Sequence, residues 1–332
     1  MDTQHSSAVW DSIVVGGGAA GLSAAMMLGR AGRHVLVIDA GSPRNRFAAH
    51  MHGVLGHDGR SPLDLVRAGR EEVAAYGVRF LDGVVATVGD GPDGVTVTTH
   101  TGQELRARTL IVATGLTDVL PEVPGPADRW GMDVLHCPYC HGWEVRGQRI
   151  GVLATSPMSL HQVRMVRQWT DDLVYFAAGA GPLGPADRQR LAARGIEVID
   201  SPVTGIVVAD DALTGVRTAD GRTTAVSALF TAAPPRPHDG VLDGLDLARA
   251  EPMPGAEMTI AVDATGRTSH PRIWAVGNVV APGANVPMVM GAASFTGGAV
   301  NGWLVEDDFD LAVAGRVVEH FDRLSTGPVE TP

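Results

Sequence analysis

The segment Ser12-Ile13-Val14-Val15, followed at once by Gly16-Gly17-Gly18-Ala19-Ala20-Gly21, restricts what this chain can fold into more than any other. A short apolar strand feeds a glycine-rich turn, and a helical run continues to about Arg30. A second apolar strand, His34-Val35-Leu36-Val37-Ile38, ends at Asp39 and Ala40. This is G-x-G-x-x-G in its strand–turn–helix setting, closed by an acid at the end of the next strand. Gly16, Gly18 and Gly21, with Ala19 and Ala20 between them, let a pyrophosphate approach the helix N-terminus. Asp39 can accept from ribose hydroxyls. The pattern predicts an α/β chain with a Rossmann-like dinucleotide fold, and by itself it does not separate FAD from NAD.

Composition narrows the chemistry. With 332 residues the length suggests about two domains. A net charge of −11 argues against nucleic acid or an anionic membrane as the main partner. All 26 basic residues are arginine, which rules out a Schiff-base lysine and a Walker lysine together. No apolar run reaches membrane-spanning length, and residues 1–11 lack the pattern of a signal peptide. The expected location is therefore cytoplasmic, where a disulfide is more often catalytic than structural.

That matters because the only two cysteines stand two residues apart, in Cys137-Pro138-Tyr139-Cys140-His141-Gly142-Trp143. A zinc site needs two further ligands, and no second C-x-x-C exists to supply cysteines, so no metal site is expected. C-x-x-C-H also spells a c-type haem attachment, which belongs to exported proteins. Two buried thiols filling a core are the plainest alternative. A redox dithiol is the preferred reading, since a cysteine at a helix N-terminus has its thiolate favoured by the unpaired amides there.

Further along, Thr109-Leu110-Ile111-Val112-Ala113-Thr114-Gly115 is a strand ending in Ala-Thr-Gly, and Arg272-Ile273-Trp274-Ala275-Val276-Gly277-Asn278 is another ending in Gly-Asn. Residues 43–59 form a loop rich in arginine and histidine, including Arg44, Arg46, His50, His52 and His57. Helical spacing covers 62–76, alternation marks strands at 84–88 and 95–99, and Pro121, Pro124 and Pro126 mark a linker. A second strand–turn unit begins at 147–153, but its turn reads Ala154-Thr155-Ser156-Pro157-Met158-Ser159, without a glycine. The strand Leu173-Val174-Tyr175-Phe176 runs into Ala177-Ala178-Gly179-Ala180 rather than into arginines. A long glycine-rich run follows Asn278 to Gly298, then a helix to about Glu306 and an amphipathic C-terminal helix carrying Leu311, Val313, Val317, Val318 and Phe321.

Taken together these segments resemble the two-dinucleotide-binding-domain flavoproteins, and specifically the low-molecular-weight thioredoxin reductases. The resemblance implies two Rossmann-like three-layer domains, the second inserted into the first: an FAD domain from 1–118 and 245–332, and a dithiol domain from 119–244. It implies FAD held by Gly16, Gly18, Ala19, Ala20, Gly21, Asp39 and Ala40. Arg46, His52, Val85, Ala113, Thr114, Gly115, Gly277 and Asn278 would complete that site. Relatives usually carry Asp where this chain has Asn278. It also implies a homodimer, with a Cys137–Cys140 disulfide whose Cys140 lies nearer the flavin.

Within that superfamily the chain is similar to the dithiol oxidases of holomycin and gliotoxin type, which also lack NADPH motifs and carry C-x-x-C-H. Reductases place an acid after the second cysteine, where this chain has His141. An oxidase needs a base there to take a proton from an incoming thiol, and imidazole can do so near neutral pH. The expected activity is oxidation of a small-molecule dithiol to its disulfide, with O2 as acceptor. A thioredoxin reductase-like enzyme fed by NADPH or ferredoxin, or a flavin-bound redox sensor, are the alternatives.

Overall fold

The computed structural model describes residues 9–91, 94–252 and 257–315. The first sheet begins with β1 (Val9–Val15), which is buried beyond its first residue, as an apolar strand flanked on both sides must be. α1 (Ala19–Arg30) and β2 (Val35–Asp39) complete the first crossover, with β2 parallel to β1. α2 (Pro62–Ala74) leads to β3 (Arg79–Asp82), which extends the parallel edge. β4 (Val85–Gly91), β5 (Gly94–Thr99) and β6 (Glu104–Val112) form an antiparallel meander, and β6 returns alongside β1 in parallel register. Only residues 109–112 of β6 read as a strand in the sequence, because polar residues alternate through its first half.

β7 (Leu116–Asp118) carries the chain out of this sheet. A second, parallel sheet contains β8 (Val134–Leu135), then α3 (Pro138–His141), β9 (Ile150–Leu153) and α4 (Ser159–Val166). β10 (Leu173–Phe176), α5 (Pro185–Ala193) and β11 (Glu197–Ile199) follow. An antiparallel ribbon of β12 (Val203–Ala209), β13 (Ala212–Thr218) and β14 (Thr223–Ala225) covers one face, and β15 (Ala228–Thr231) closes the sheet in the order β11-β10-β9-β15-β8. β16 (Pro235–Pro237) pairs antiparallel with β7 where the chain comes back. β17 (Ile273–Ala275) then joins the first sheet beside β6.

The end of the described chain differs from the sequence expectation. Residues 286–313 form one helix, α6 (Val286–Val313), opened by Asn285, whose side chain accepts from the Met288 amide. Glycines at 291, 297, 298 and 302 lie inside it, whereas the sequence suggested an extended glycine-rich run and two helices. Packing explains the helix: a Cβ on Gly297 would meet the Ala24 carbonyl oxygen at 2.6 Å, so glycine lets α6 press directly onto α1. Arg108 ties the far end of α6 to β1 through Asp11, Asp307 and Asp308 at 2.7–3.0 Å. Val317, Val318 and Phe321 lie outside the described residues. Among the described residues, no helix is long and apolar enough to cross a membrane.

Candidate functional site

A cavity of about 830 Å³ opens between the two sheets, and both sequence motifs reach it. From the first sheet it is lined by Gly16, Gly18, Ala19 and Ala20 at the β1–α1 turn, by Asp39 and Ala40 after β2, and by Val85. Ala113, Thr114 and Gly115 line it after β6, and Asn278 after β17. Arg46 and His52 enter from the 43–60 loop, and Cys137, Cys140 and His141 enter from α3. Two of the expected residues, Gly21 and Gly277, do not line it. A Cβ on Gly21 would sit 1.8 Å from the Gly16 carbonyl oxygen, and one on Gly277 would sit 2.8 Å from the Ala20 Cβ. Both glycines shape the wall from behind.

The turn fits a dinucleotide pyrophosphate. Gly16 has φ +105° and its missing Cβ would strike the Ala113 carbonyl oxygen at 2.4 Å, so only glycine closes this turn. Gly18, the N-cap of α1, has open space where a Cβ would be, and no side chain caps the helix. The first amides of α1 therefore face the cavity ready for an anion. Asp39 Oδ1 accepts from the Gly17 N–H at 2.9 Å, which fixes the carboxylate at the end of β2.

Asn278 departs from the usual acid for a visible reason. Its Nδ2 donates to the carbonyl oxygens of Ala281 (3.0 Å) and Ala284 (2.8 Å), and these two acceptors assign the amide orientation. A carboxylate could make neither bond. Oδ1 is left as the acceptor for a ligand hydroxyl, the task an Asp would perform. Asn278→Asp is accordingly expected to weaken FAD binding by about 10–100-fold, the cost of stranding two carbonyls against a charge. Equilibrium dialysis of FAD against both proteins measures it.

The dithiol lies on α3. Cys137 and Cys140 form a disulfide, and no free cysteine exists among the described residues. The Cys140 and His141 amides both donate to the Cys137 carbonyl (3.1 and 3.2 Å), so a single helical turn holds all three residues. His141 is half-buried, and that burial lowers its pKa from the ordinary imidazole value. The Glu144 carboxylate opposes the shift, whereas His52 and His136 reinforce it. His136, just before Cys137, is also pushed down by burial, and its Nδ1 finds no hydrogen-bond partner.

Arg44 and His52 of the arginine- and histidine-rich loop both line the cavity, and a further set of residues around α4 was not singled out from the sequence. Arg44 donates to both Asp118 oxygens (2.6 and 2.9 Å) and to the Pro282 carbonyl, bracing the loop across the cavity. His52 turns toward the dithiol segment: Nδ1 lies 3.3 Å from Asp58 Oδ2 and Nε2 lies 3.5 Å from Glu144 Oε1. Met158, His161, Gln162 and Met165 reach the cavity from α4 and the turn before it. Their positions follow an i, i+3, i+4, i+7 spacing, which is the signal that could have found them. Trp143, by contrast, lines nothing; Arg146 stacks over its ring at 4.0 Å.

The turn before α4 is held by the chain's own hydroxyls. Ser159 Oγ accepts from the amides of Thr155 (3.0 Å) and Ser156 (3.3 Å), and Thr155 Oγ1 donates to the Ala232 carbonyl. The amides that a pyrophosphate would use are already engaged by the chain's own hydroxyl. Arg188, the first cation after β10, pairs with Asp200 at 2.7 Å.

Residues 10–297 match the family model described as pyridine nucleotide-disulphide oxidoreductase. The chain belongs to that family. Its members are FAD-binding flavoproteins of thiol/disulfide oxidoreductase type. Among similar proteins, thioredoxin reductase tcpT of Claviceps purpurea is 35% identical over 208 residues, covering 58% of this chain and 65% of the relative. Thioredoxin reductase sirT of Leptosphaeria maculans is 41% identical over 143 residues, covering 42% of this chain and 44% of the relative. These matches therefore span about half to two thirds of each relative's length. Among solved structures, that of HlmI shares 44% identity with a TM-score of 0.88, covering 92% of this chain and 96% of that one. An oxidoreductase from Agrobacterium tumefaciens shares 36% identity with a TM-score of 0.84, covering 90% and 99%. The resemblance to thioredoxin reductase-like flavoproteins drawn from the motifs agrees with all of these matches.

Proposed function

We propose that this oxidoreductase oxidises a small-molecule dithiol to its cyclic disulfide, with molecular oxygen as the final acceptor. The observation that carries the reading is the sealed turn before α4, set beside an intact dinucleotide cradle at α1. The geometry favours one dinucleotide, FAD, in a site shared with the disulfide, and it offers no glycine-lined anion site for NADPH.

In this reading a substrate thiol attacks Cys137 Sγ, breaking the Cys137–Cys140 bond and forming a mixed disulfide. His141 takes the proton of the attacking thiol at an imidazole nitrogen. The second substrate thiol then attacks the substrate sulfur of the mixed disulfide, so the substrate leaves as a disulfide and Cys137 and Cys140 remain as the reduced pair. The α1 amides, Asp39 and Asn278 would hold the cofactor, and Arg44 ties the 43–60 loop to Asp118 and Pro282 beside it. FAD, when bound, would supply the two-electron acceptor chemistry that restores the disulfide, with oxygen as the final oxidant and hydrogen peroxide as its product.

The test is stoichiometric. One O2 consumed and one H2O2 formed per dithiol lost, with a panel of small dithiols and no added nucleotide, supports the reading; no dithiol-dependent oxygen uptake removes it. A homodimer is part of the same proposal, supported by Phe295 and Phe309, both largely exposed on α6. Sedimentation at a monomer's mass at micromolar concentration contradicts that part alone.

A further inference from the structure

α4 has two working faces. Val163 and Val166 enter the core of the second sheet with Leu173, Tyr175 and Phe230. The other face, with Met158 just ahead of the first turn, presents His161, Gln162 and Met165 to the cavity. Four positions spaced i, i+3, i+4 and i+7 form one stripe along a helix. The stripe carries two thioethers, a carboxamide and an imidazole, with no carboxylate and no guanidinium.

The arginines of this segment are committed elsewhere. Arg164 donates to Asp187, while Arg167 pairs with Asp171 and donates to the carbonyls of Arg194 and Thr170. No cation of α4 is left to greet an anionic ligand, and the Thr155 and Ser156 amides in the turn before it are held by Ser159 Oγ. The stripe is nevertheless fastened to the reactive turn. Gln162, only 6% exposed, donates from Nε2 to the carbonyl of His136 at 2.7 Å, one residue before Cys137. Tyr139 lines the same cavity from α3, 73% exposed, its ring held edge-on against Trp169 just beyond α4 at 5.9 Å. Phe47 lines the same cavity from the loop.

We propose that the α4 stripe is the recognition wall for the body of the substrate, selecting small, uncharged dithiols built on a flat aromatic or heteroaromatic framework. The proposal rests on the dithiol-oxidation reading and adds to it the substrate class and the residues that choose it. Methionine is unbranched and polarizable, and its sulfur makes favourable contacts with aromatic rings, so Met158 and Met165 suit a flat π-surface. Tyr139 and Phe47 offer ring faces and edges to the same kind of body. A charged substrate body would lose its hydration against this stripe without gaining a counter-ion from it. A concave wall with few polar groups also suits a small molecule better than a protein surface.

The probes are two dithiols of matched chemistry, 1,2-benzenedimethanethiol and dithiothreitol. Each loses two S–H hydrogens and closes a six-membered cyclic disulfide; only one carries a flat ring. The wild type is expected to favour the aromatic probe in kcat/KM. Met158→Ser and Met165→Ser should each reduce that preference by about three- to tenfold, the range of a sulfur–aromatic contact, chiefly through KM. Met158→Leu and Met165→Leu, which keep the apolar volume, should recover most of it.

A titration with the product disulfide, 1,4-dihydro-2,3-benzodithiine, followed by the flavin absorbance of the holoprotein, reads binding without turnover. It should show the same loss in the serine variants. Binding that depends on Met158 and Met165 in a wild type that oxidises neither dithiol would keep the wall and remove the oxidase reading. Turnover of both dithiols with preference and product affinity unchanged in the serine variants would overturn the wall and leave the oxidase reading standing.

Discussion

Cys137→Ser and Cys140→Ser are each expected to abolish dithiol turnover while leaving FAD bound. The separation follows from position. The cradle is built from the β1–α1 turn, Asp39 and Asn278, whereas both cysteines belong to one turn of α3, so losing a sulfur removes no cradle residue. Neither single thiol can form the enzyme disulfide, and the covalent route ends there. The two variants should nonetheless differ in colour. If Cys140 is the flavin-side sulfur, Cys137→Ser leaves it as a free thiolate able to give a long-wavelength charge-transfer band. Cys140→Ser should lack that band. Absorbance spectra of the two purified proteins decide the assignment, and the opposite pattern reverses the roles of the two sulfurs.

His141→Ala should keep the FAD spectrum and the disulfide yet slow flavin reduction by dithiol by roughly 10²–10⁴-fold, the usual contribution of a positioned base. The pH dependence carries the sign. The neutral imidazole is the base, and burial lowers the His141 pKa, so the active form prevails at neutral pH and is lost on acidification. The wild-type rate should therefore rise with pH along a limb centred below the ordinary imidazole value. The variant should lack the limb, and its deficit should shrink as pH approaches the substrate thiol pKa, where free thiolate needs no base. Glu144 holds the His141 pKa up against burial, so Glu144→Gln is expected to move the limb to still lower pH. A purely structural His141 predicts a pH profile of unchanged shape with altered stability. Stopped-flow flavin reduction across pH separates the two, and an unchanged rate in the variant passes the role to His136.

What could be read from the sequence was local. Gly16, Gly18, Gly21 and Asp39 announce themselves because a tight turn and its acid are close in the chain, and Cys137 and Cys140 because they are the only cysteines. Residues whose meaning depends on distant partners were less legible. Asn278 read as a weakened acid, but two carbonyls of its own loop make the amide necessary. Glycines at 291, 297 and 298 read as a glycine-rich run ahead of a helix, since nothing local shows that α1 packs close enough to need Gly297. His52 lines the cavity as the loop suggested, but its partners Asp58 and Glu144, the second of them 92 positions further along the chain, could not be read locally. The α4 stripe is periodic in the sequence, but which face of the helix meets the cavity depends on how Val163 and Val166 pack on the second sheet. Tyr139 and Trp143 looked equivalent beside the dithiol, and only Tyr139 lines the cavity.

The central claim is that this fold draws electrons from a dithiol and not from a pyridine nucleotide. It is tested most directly by mixing the oxidised holoprotein anaerobically, in separate stopped-flow experiments, with excess small dithiol and with NADPH. The account predicts rapid flavin bleaching by the dithiol and little or none by NADPH, because Ser159 Oγ already holds the Thr155 and Ser156 amides in the turn before α4. Rapid, saturable bleaching by micromolar NADPH, with the dithiol inert, would contradict it and make the chain a disulfide reductase.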